Sequence, residues 1–348
     1  MAVLAFLVPI LSRSALAGEP AAVLPSDDAY HFAAWSGGAL DPLYTEWWYF
    51  DLFDARTGLK AIFSYFVQDP SGLAGPPRVQ MVAVAYTGQG MVRALDAYPV
   101  AAFDAMASRA DVTLGANGID AADADTYRIH GASLDGRLAW DLSYAREAAP
   151  WFAGDRVTVG SFPWEKMSWL VYMPRALVTG TVVVDGRSYE VAAPGYHDHN
   201  WGEWIPTDAL WNWAQFSDEH VAIELGDFIG KPVGLVALDL DGERTIFGRE
   251  RYLLVHTSWA LDLVNWVWYP SESILLAGDD RTFLALTMSA AQTAPLRGDL
   301  PLPLPDLIIY EQPARFDGQI WRKDPAGSWS LARTLRGNGF KEYTGAHY

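Results

Sequence analysis

Ten residues concentrate the reactive chemistry of the chain: Gly195-Tyr196-His197-Asp198-His199-Asn200-Trp201-Gly202-Glu203-Trp204. They bring together two imidazoles, two carboxylates, one carboxamide and two indoles. A carboxylate set among imidazoles and indoles can hold a proton at an unusual pKa, which is what an acid catalyst needs. Thr45-Glu46-Trp47-Trp48-Tyr49-Phe50-Asp51 is comparably dense. The two segments are expected to meet around one hydrophobic pocket.

Each motif has two readings. On a strand, His197 and His199 share a face and form half of a metal site. Such a site needs a third ligand, and the other histidines (His31, His130, His220, His256, His347) are scattered along the chain. The sequence therefore predicts no bound metal and no cofactor. Asp198 orients an imidazole or donates a proton itself. Alternatively, His197, Asp198 and Asn200 tie down an interdomain turn by hydrogen bonds. Glu46 is a pocket acid, or the partner of an arginine at a strand edge. The G-x-S-x-G elbow, the phosphate-binding P-loop and the dinucleotide fingerprint are all missing from the sequence.

The elements that must position these residues are strands. Leu138, Trp140, Leu142 and Tyr144 alternate with Ala139, Asp141 and Ser143, a period of two. Asp-Gly pairs at Asp135-Gly136, Asp185-Gly186, Asp241-Gly242 and Asp317-Gly318 separate such runs and predict hairpin turns. The best helix candidate is 98–110, and 18–42 is expected to be extended. Trp47-x-x-Phe50 and Trp213-x-x-Phe216 each lead into an apolar run, an echo that suits two related β domains. A proline-rich connection, 295–305, excludes a central strand there.

Composition narrows the partners. A net charge of −17 repels phosphate backbones, so nucleic acid is excluded as a partner. The absence of cysteine rules out disulfides and thiolate chemistry. Sixteen tryptophans line a ligand cavity or pack across strands. Residues 1–17 read as an export leader, an apolar run ending in an A-x-A site at Ala15-Leu16-Ala17. No run is long and apolar enough to form a stable membrane-spanning helix.

The Thr45–Asp51 and Gly195–Gly202 motifs, with Gly339-Phe340-Lys341-Glu342-Tyr343-Thr344 near the end, resemble the carotenoid 1,2-hydratase (hydroxyneurosporene synthase) and AttH-like superfamily. The fungal lipocalin-like Diels–Alderases belong to the same superfamily. The resemblance implies an all-β chain with two lipocalin-like antiparallel domains in tandem, 18–195 and 196–348, and an apolar pocket near their interface. It implies catalytic roles for His199 and Trp201. The hydratases' Tyr-x-Asp pair is not matched; Glu224-Leu225-Gly226-Asp227 stands in that region.

The expected activity is addition of water to a C=C bond of an isoprenoid or other apolar polyene. Asp198 is cast as the acid, with His199 as its partner. The faces of Trp201, Trp47 and Trp48 stabilise the carbocation, and His199 or Glu46 guides the water. Tyr49, His197, Asn200, Trp204, Trp211 and Trp213 are assigned to the pocket wall. The alternatives are a pericyclase that folds a polyene in the same pocket and a non-enzymatic carrier of an apolar ligand.

Overall fold

The computed structural model describes residues 22–298 and 306–347. The leader reading on 1–17 falls outside them. The described chain is nearly all strand, arranged as two curled antiparallel sheets in tandem, a nearly closed barrel followed by a half-barrel.

In the first sheet, β1 (Tyr44–Asp54), β2 (Leu59–Gln68), β3 (Arg78–Thr87) and β4 (Gly90–Tyr98) form a meander. The sheet continues on the other side of β1 with β12 (Arg187–Glu203), β11 (Lys166–Val184), β9 (Leu138–Arg146), β8 (Thr126–Ala132), β7 (Asn117–Ala121), β6 (Val112–Leu114) and β5 (Phe103–Ala105). A side strand, β10 (Trp151–Thr158), pairs with β11.

The second sheet repeats this order. A meander of β13 (Trp211–Ser217), β14 (Val221–Phe228), β15 (Gly234–Leu240) and β16 (Glu243–Gly248) is followed, beside β13, by β22 (Trp329–His347), β21 (Asp306–Lys323) and β19 (Thr282–Ala290). Here too a side strand, β20 (Ala294–Gly298), pairs with the equivalent partner, β21. The Trp-x-x-Phe echo falls on β1 and β13, the equivalent first strands of the two sheets.

Alternation along β1 and β12 decides what each side chain can do, because successive side chains leave a strand on opposite faces. Trp48 and Phe50 of β1 and Trp201 of β12 enter the core of the first barrel. Tyr49 and Tyr196 face the second sheet and pack with its Trp213 and Phe340. The central strands of the first sheet are thus buried on both faces, by the barrel core and by the neighbouring domain.

Four expectations change. Residues 98–110 form no helix; the end of β4 leads through a short 3-10 turn into a three-residue strand, Phe103–Ala105. Asp317-Gly318 is not a turn but lies within β21, where Gly318 passes so close to β19 that a Cβ would sit 2.4 Å from the Ala285 carbonyl oxygen. β12 runs unbroken through 195–196, so the sheet changes only in 204–210. It remains one strand because 195–203 pairs with both β1 and β11, and Gly202 (φ +148°) passes the Lys166 carbonyl where a Cβ would clash.

The fourth change concerns the segment before β1. It is not extended but carries two 3-10 turns and a short helix, α1 (Phe32–Trp35). It is held locally by the Asp41 carboxylate, which accepts the Gly37 and Gly38 N–H groups at 3.0 and 2.9 Å. The Trp48 indole fastens it to the barrel by donating to the Asp28 carbonyl at 3.0 Å.

Candidate functional site

β1 and β12 pair antiparallel, with Trp48 opposite His199, Glu46 opposite Trp201 and Tyr49 opposite Asp198. The two dense motifs therefore do meet, residue against residue. The alternation of the strands distributes them over two separate faces.

On the inner face lies a buried ion cluster. His199 Nε2 is 2.9 Å from Glu46 Oε1, and Nδ1 stands 3.2 Å from Asp28 Oδ1, an ion-pair contact. Asp28 Oδ2 is 3.0 Å from His197 Nε2, while His197 Nδ1 donates to the Tyr49 carbonyl at 2.8 Å. Glu46 also accepts the His31 N–H at 2.9 Å and the Tyr44 hydroxyl at 2.5 Å. Stacked rings complete the packing: Trp48 on His199, Phe50 on His197 and Trp201 on His31. Burial pushes the His199 pKa down, but Asp28 and Glu46 outweigh it and the imidazole stays protonated above its ordinary range. Against burial, His197 and then His199 hold the Asp28 carboxyl below its usual value, and His199 and His31 do the same for Glu46.

Sequence reading left His31 among the scattered histidines and assigned no role to Asp28. Both arrive on the segment before β1, and only its docking brings them to the motif. His31, Glu46 and His199 then place one ligand atom each within 4.8 Å of one another, so the third ligand that the sequence lacked is present in space. In this structure those atoms are engaged with each other as acid and imidazole.

On the outer face lies a cleft between the two sheets, with two adjoining cavities of about 140 and 50 Å³. Both are walled by Trp47, Tyr49, Trp211 and Glu342. Trp204, Phe66 and Ile309 extend the larger; Trp169, Trp213, Asn200 and Asp198 line the smaller. Trp47 lies nearly parallel to Trp211 (18°) and edge-on to Trp204. Asp227 also lines the smaller cavity, held by the Tyr252 hydroxyl at 2.7 Å.

Asp198 is 3% exposed. Its Oδ2 accepts Trp169 Nε1 and the Tyr196 hydroxyl, each at 2.8 Å, and its Oδ1 accepts the Asn200 amide at 3.1 Å. Burial raises its pKa more than these donors lower it, and the carboxyl is pushed up to about 7. It is an acid poised to give up a proton near neutrality, in a cleft walled by indoles.

The twelve residues singled out in the sequence thus divide. Glu46, Trp48, His197, His199 and Trp201 face the barrel interior, whereas Trp47, Tyr49, Asp198, Asn200, Trp204, Trp211 and Trp213 line the cleft. His199 is not the partner of Asp198: adjacent strand residues cannot share a face. The sequence reading gave no role to Trp169, Tyr196, Glu311 or Glu342. A legible signal existed for Glu311, a lone acid in the run Ile308-Ile309-Tyr310-Glu311 where a buried strand would be apolar throughout.

Neither a family model nor a curated protein matches the sequence. Among solved structures, the chain is similar to an AttH-type protein of Nitrosomonas europaea, at 15% identity and a TM-score of 0.69, covering 95% of this chain and 98% of that one. It is also similar to kievitone hydratase from Nectria haematococca, at 13% identity and a TM-score of 0.61, covering 90% and 94%. The likeness is one of fold. It extends over both sheets, so the tandem arrangement is common to this chain and both of these structures.

Proposed function

We propose that the protein is a cofactor-independent hydratase that adds water across a C=C bond of an apolar, branched chain of isoprenoid type. The observation that carries this reading is Asp198, a buried carboxyl with a pKa of about 7 in a tryptophan-lined cleft. Protonating an alkene needs an undissociated acid shielded from water, and burial supplies both conditions. The fold it shares with a hydratase is consistent with this chemistry.

In this mechanism Asp198 gives its proton to the less substituted alkene carbon. The tertiary cation that forms lies against the faces of Trp47, Trp211 and Trp213, where cation–π attraction is worth about 2 kcal/mol when desolvated. Water then adds to the cation. Trp201, His199 and Glu46 act from behind the sheet as positioning residues, fixing the backbone of β1 and β12 through the ion cluster.

The larger cavity, about 140 Å³, is below the ~300–1,000 Å³ of pockets for drug-sized ligands. It suits a short prenyl-type unit, or the end of a longer molecule whose remainder lies outside. The test is to incubate the protein with short isoprenoid alcohols and prenylated phenols and to follow the gain of one water by mass spectrometry. Hydrated product supports the reading. Binding without turnover would assign a carrier, and cyclised product without added water a pericyclase.

A further inference from the structure

The hydration above leaves one step without a residue, removal of a proton from the attacking water. His199 and Glu46, the sequence candidates for it, face the barrel interior. The cleft offers another group. Glu311 of β21 stands directly opposite Glu342 of β22, and Glu342 stands opposite Trp213 of β13, so the three side chains project from one face toward β1.

The two carboxyls stand side by side across the β21–β22 register and act on each other electrostatically. Trp211 Nε1 donates to Glu342 Oε2 at 2.8 Å. Glu311 is 3% exposed, and its Oε2 is buried with no hydrogen-bond partner. Glu311 lines the larger cavity and Glu342 lines both. Two carboxyls side by side in a dry site cannot both ionise, so the pair retains a proton at neutral pH. Burial first, and then each other's charge, push Glu311 upward; burial also raises Glu342.

The titratable groups facing the pair are Tyr49 and Asp51 of β1, Tyr86 of β3 and Asp198 of β12. Arg78 and Arg297 also stand on the wall of the larger cavity. Tyr49 has a buried hydroxyl with no hydrogen-bond partner, and Glu311, Asp51, Glu342 and Asp198 all act on it electrostatically.

We propose that Glu311 and Glu342 form a one-proton acid pair that takes the proton from the attacking water, and that a water in the smaller cavity, which Glu342 and Asp198 both line, returns it to Asp198. This assignment rests on the hydratase reading. The Asp198 O–H bond breaks as the alkene π pair forms the new C–H bond, leaving a cation and the Asp198 carboxylate. A water lone pair forms the C–O bond while the water O–H bond breaks toward Glu342. The pair then holds one proton too many. A water in the smaller cavity accepts that proton and passes one of its own to Asp198. One alkene and one water are consumed, and the protein ends as it began.

The test compares the full chain with Glu342→Gln, Glu311→Gln and Asp198→Asn, each checked for native fold by near-ultraviolet circular dichroism. The expected result for Glu342→Gln is a fall in kcat of about 10²–10⁴-fold, with KM within about twofold of the parent. The acid limb of the pH–rate profile should vanish with it. Infrared spectroscopy reads the pair without turnover: a protonated-carboxyl C=O band is expected at neutral pH and should weaken in Glu311→Gln. Parent-like kcat and pH profile in both glutamine variants, with Asp198→Asn inactive, would overturn the pair's role and leave the hydratase reading standing. An unchanged infrared band in Glu311→Gln would overturn the shared proton. A parent protein that hydrates no isoprenoid would overturn the hydratase reading, and the catalytic role of the pair with it.

Discussion

Asp198 and His199 are neighbours in sequence and act on opposite sides of one strand. The Asp198 carboxyl takes hydrogen bonds from Trp169 and Tyr196 in the cleft between the sheets, whereas His199 Nε2 meets Glu46 inside the first barrel. A substitution at one position should therefore report on chemistry and at the other on stability.

His199→Ala is expected to destabilise the protein by about 3–5 kcal/mol, because it leaves the buried Asp28 and Glu46 carboxylates without the imidazolium between them. Urea titration measures the loss. Whatever fraction remains folded should still bind ligand in the cleft, since His199 is not on its wall.

Stability should fall as pH rises from about 4.5 to about 7. Burial raises Asp51, Asp198, Glu224, Glu311 and Glu342, the second to about 7 and the third to about 8. An acid whose folded pKa is raised keeps its proton in the folded state after the unfolded chain has lost it, so folding weakens across that interval. The His199 contribution has the same sign: it is fully present below the ordinary imidazole pKa and is lost as pH rises through the raised folded value. His256, pushed down to about 4 by burial, opposes this trend as a single group. Asp28 and Glu46 are depressed, so their contribution is lost only below the ordinary carboxylate range. Thermal melts across this range check the sign; a Tm that rises toward neutrality contradicts it.

Trp47→Ala should slow turnover about 30-fold, the equivalent of the ~2 kcal/mol cation–π term. Trp47→Phe, which keeps an aromatic face, should retain most of the rate. Equal losses in both would assign Trp47 to cavity shape alone.

Much of this arrangement was legible in the sequence. Asp135-Gly136, Asp185-Gly186 and Asp241-Gly242 each mark a hairpin turn between strands. Asp317-Gly318 misled because its glycine answers to close contact with β19 rather than to a turn. The meeting of the Glu46 and His199 motifs was also legible. Their division over two faces follows from the period of two once 195–203 is known to be a strand rather than an interdomain turn. Asp28 and His31 gave no local signal, because their role depends on where the segment before β1 docks.

The His31–Glu46–His199 group makes the metal question a sharp one. The purified protein is expected to carry no stoichiometric zinc or iron, and a chelator to leave turnover unchanged, because proton transfer from Asp198 requires neither. Elemental analysis showing one tightly held metal per chain would reassign these three residues as its ligands.

The central claim is that the cleft acid Asp198 performs the chemistry, and Asp198→Asn tests it most directly. The change is nearly isosteric and removes the acidic proton. Parent and variant should be incubated with an isoprenoid alkene in ¹⁸O-labelled water, with ligand binding measured in parallel. One labelled oxygen is expected in the parent's product, and binding without product in the variant. Labelled product formed by Asp198→Asn at the parent's rate would contradict the claim.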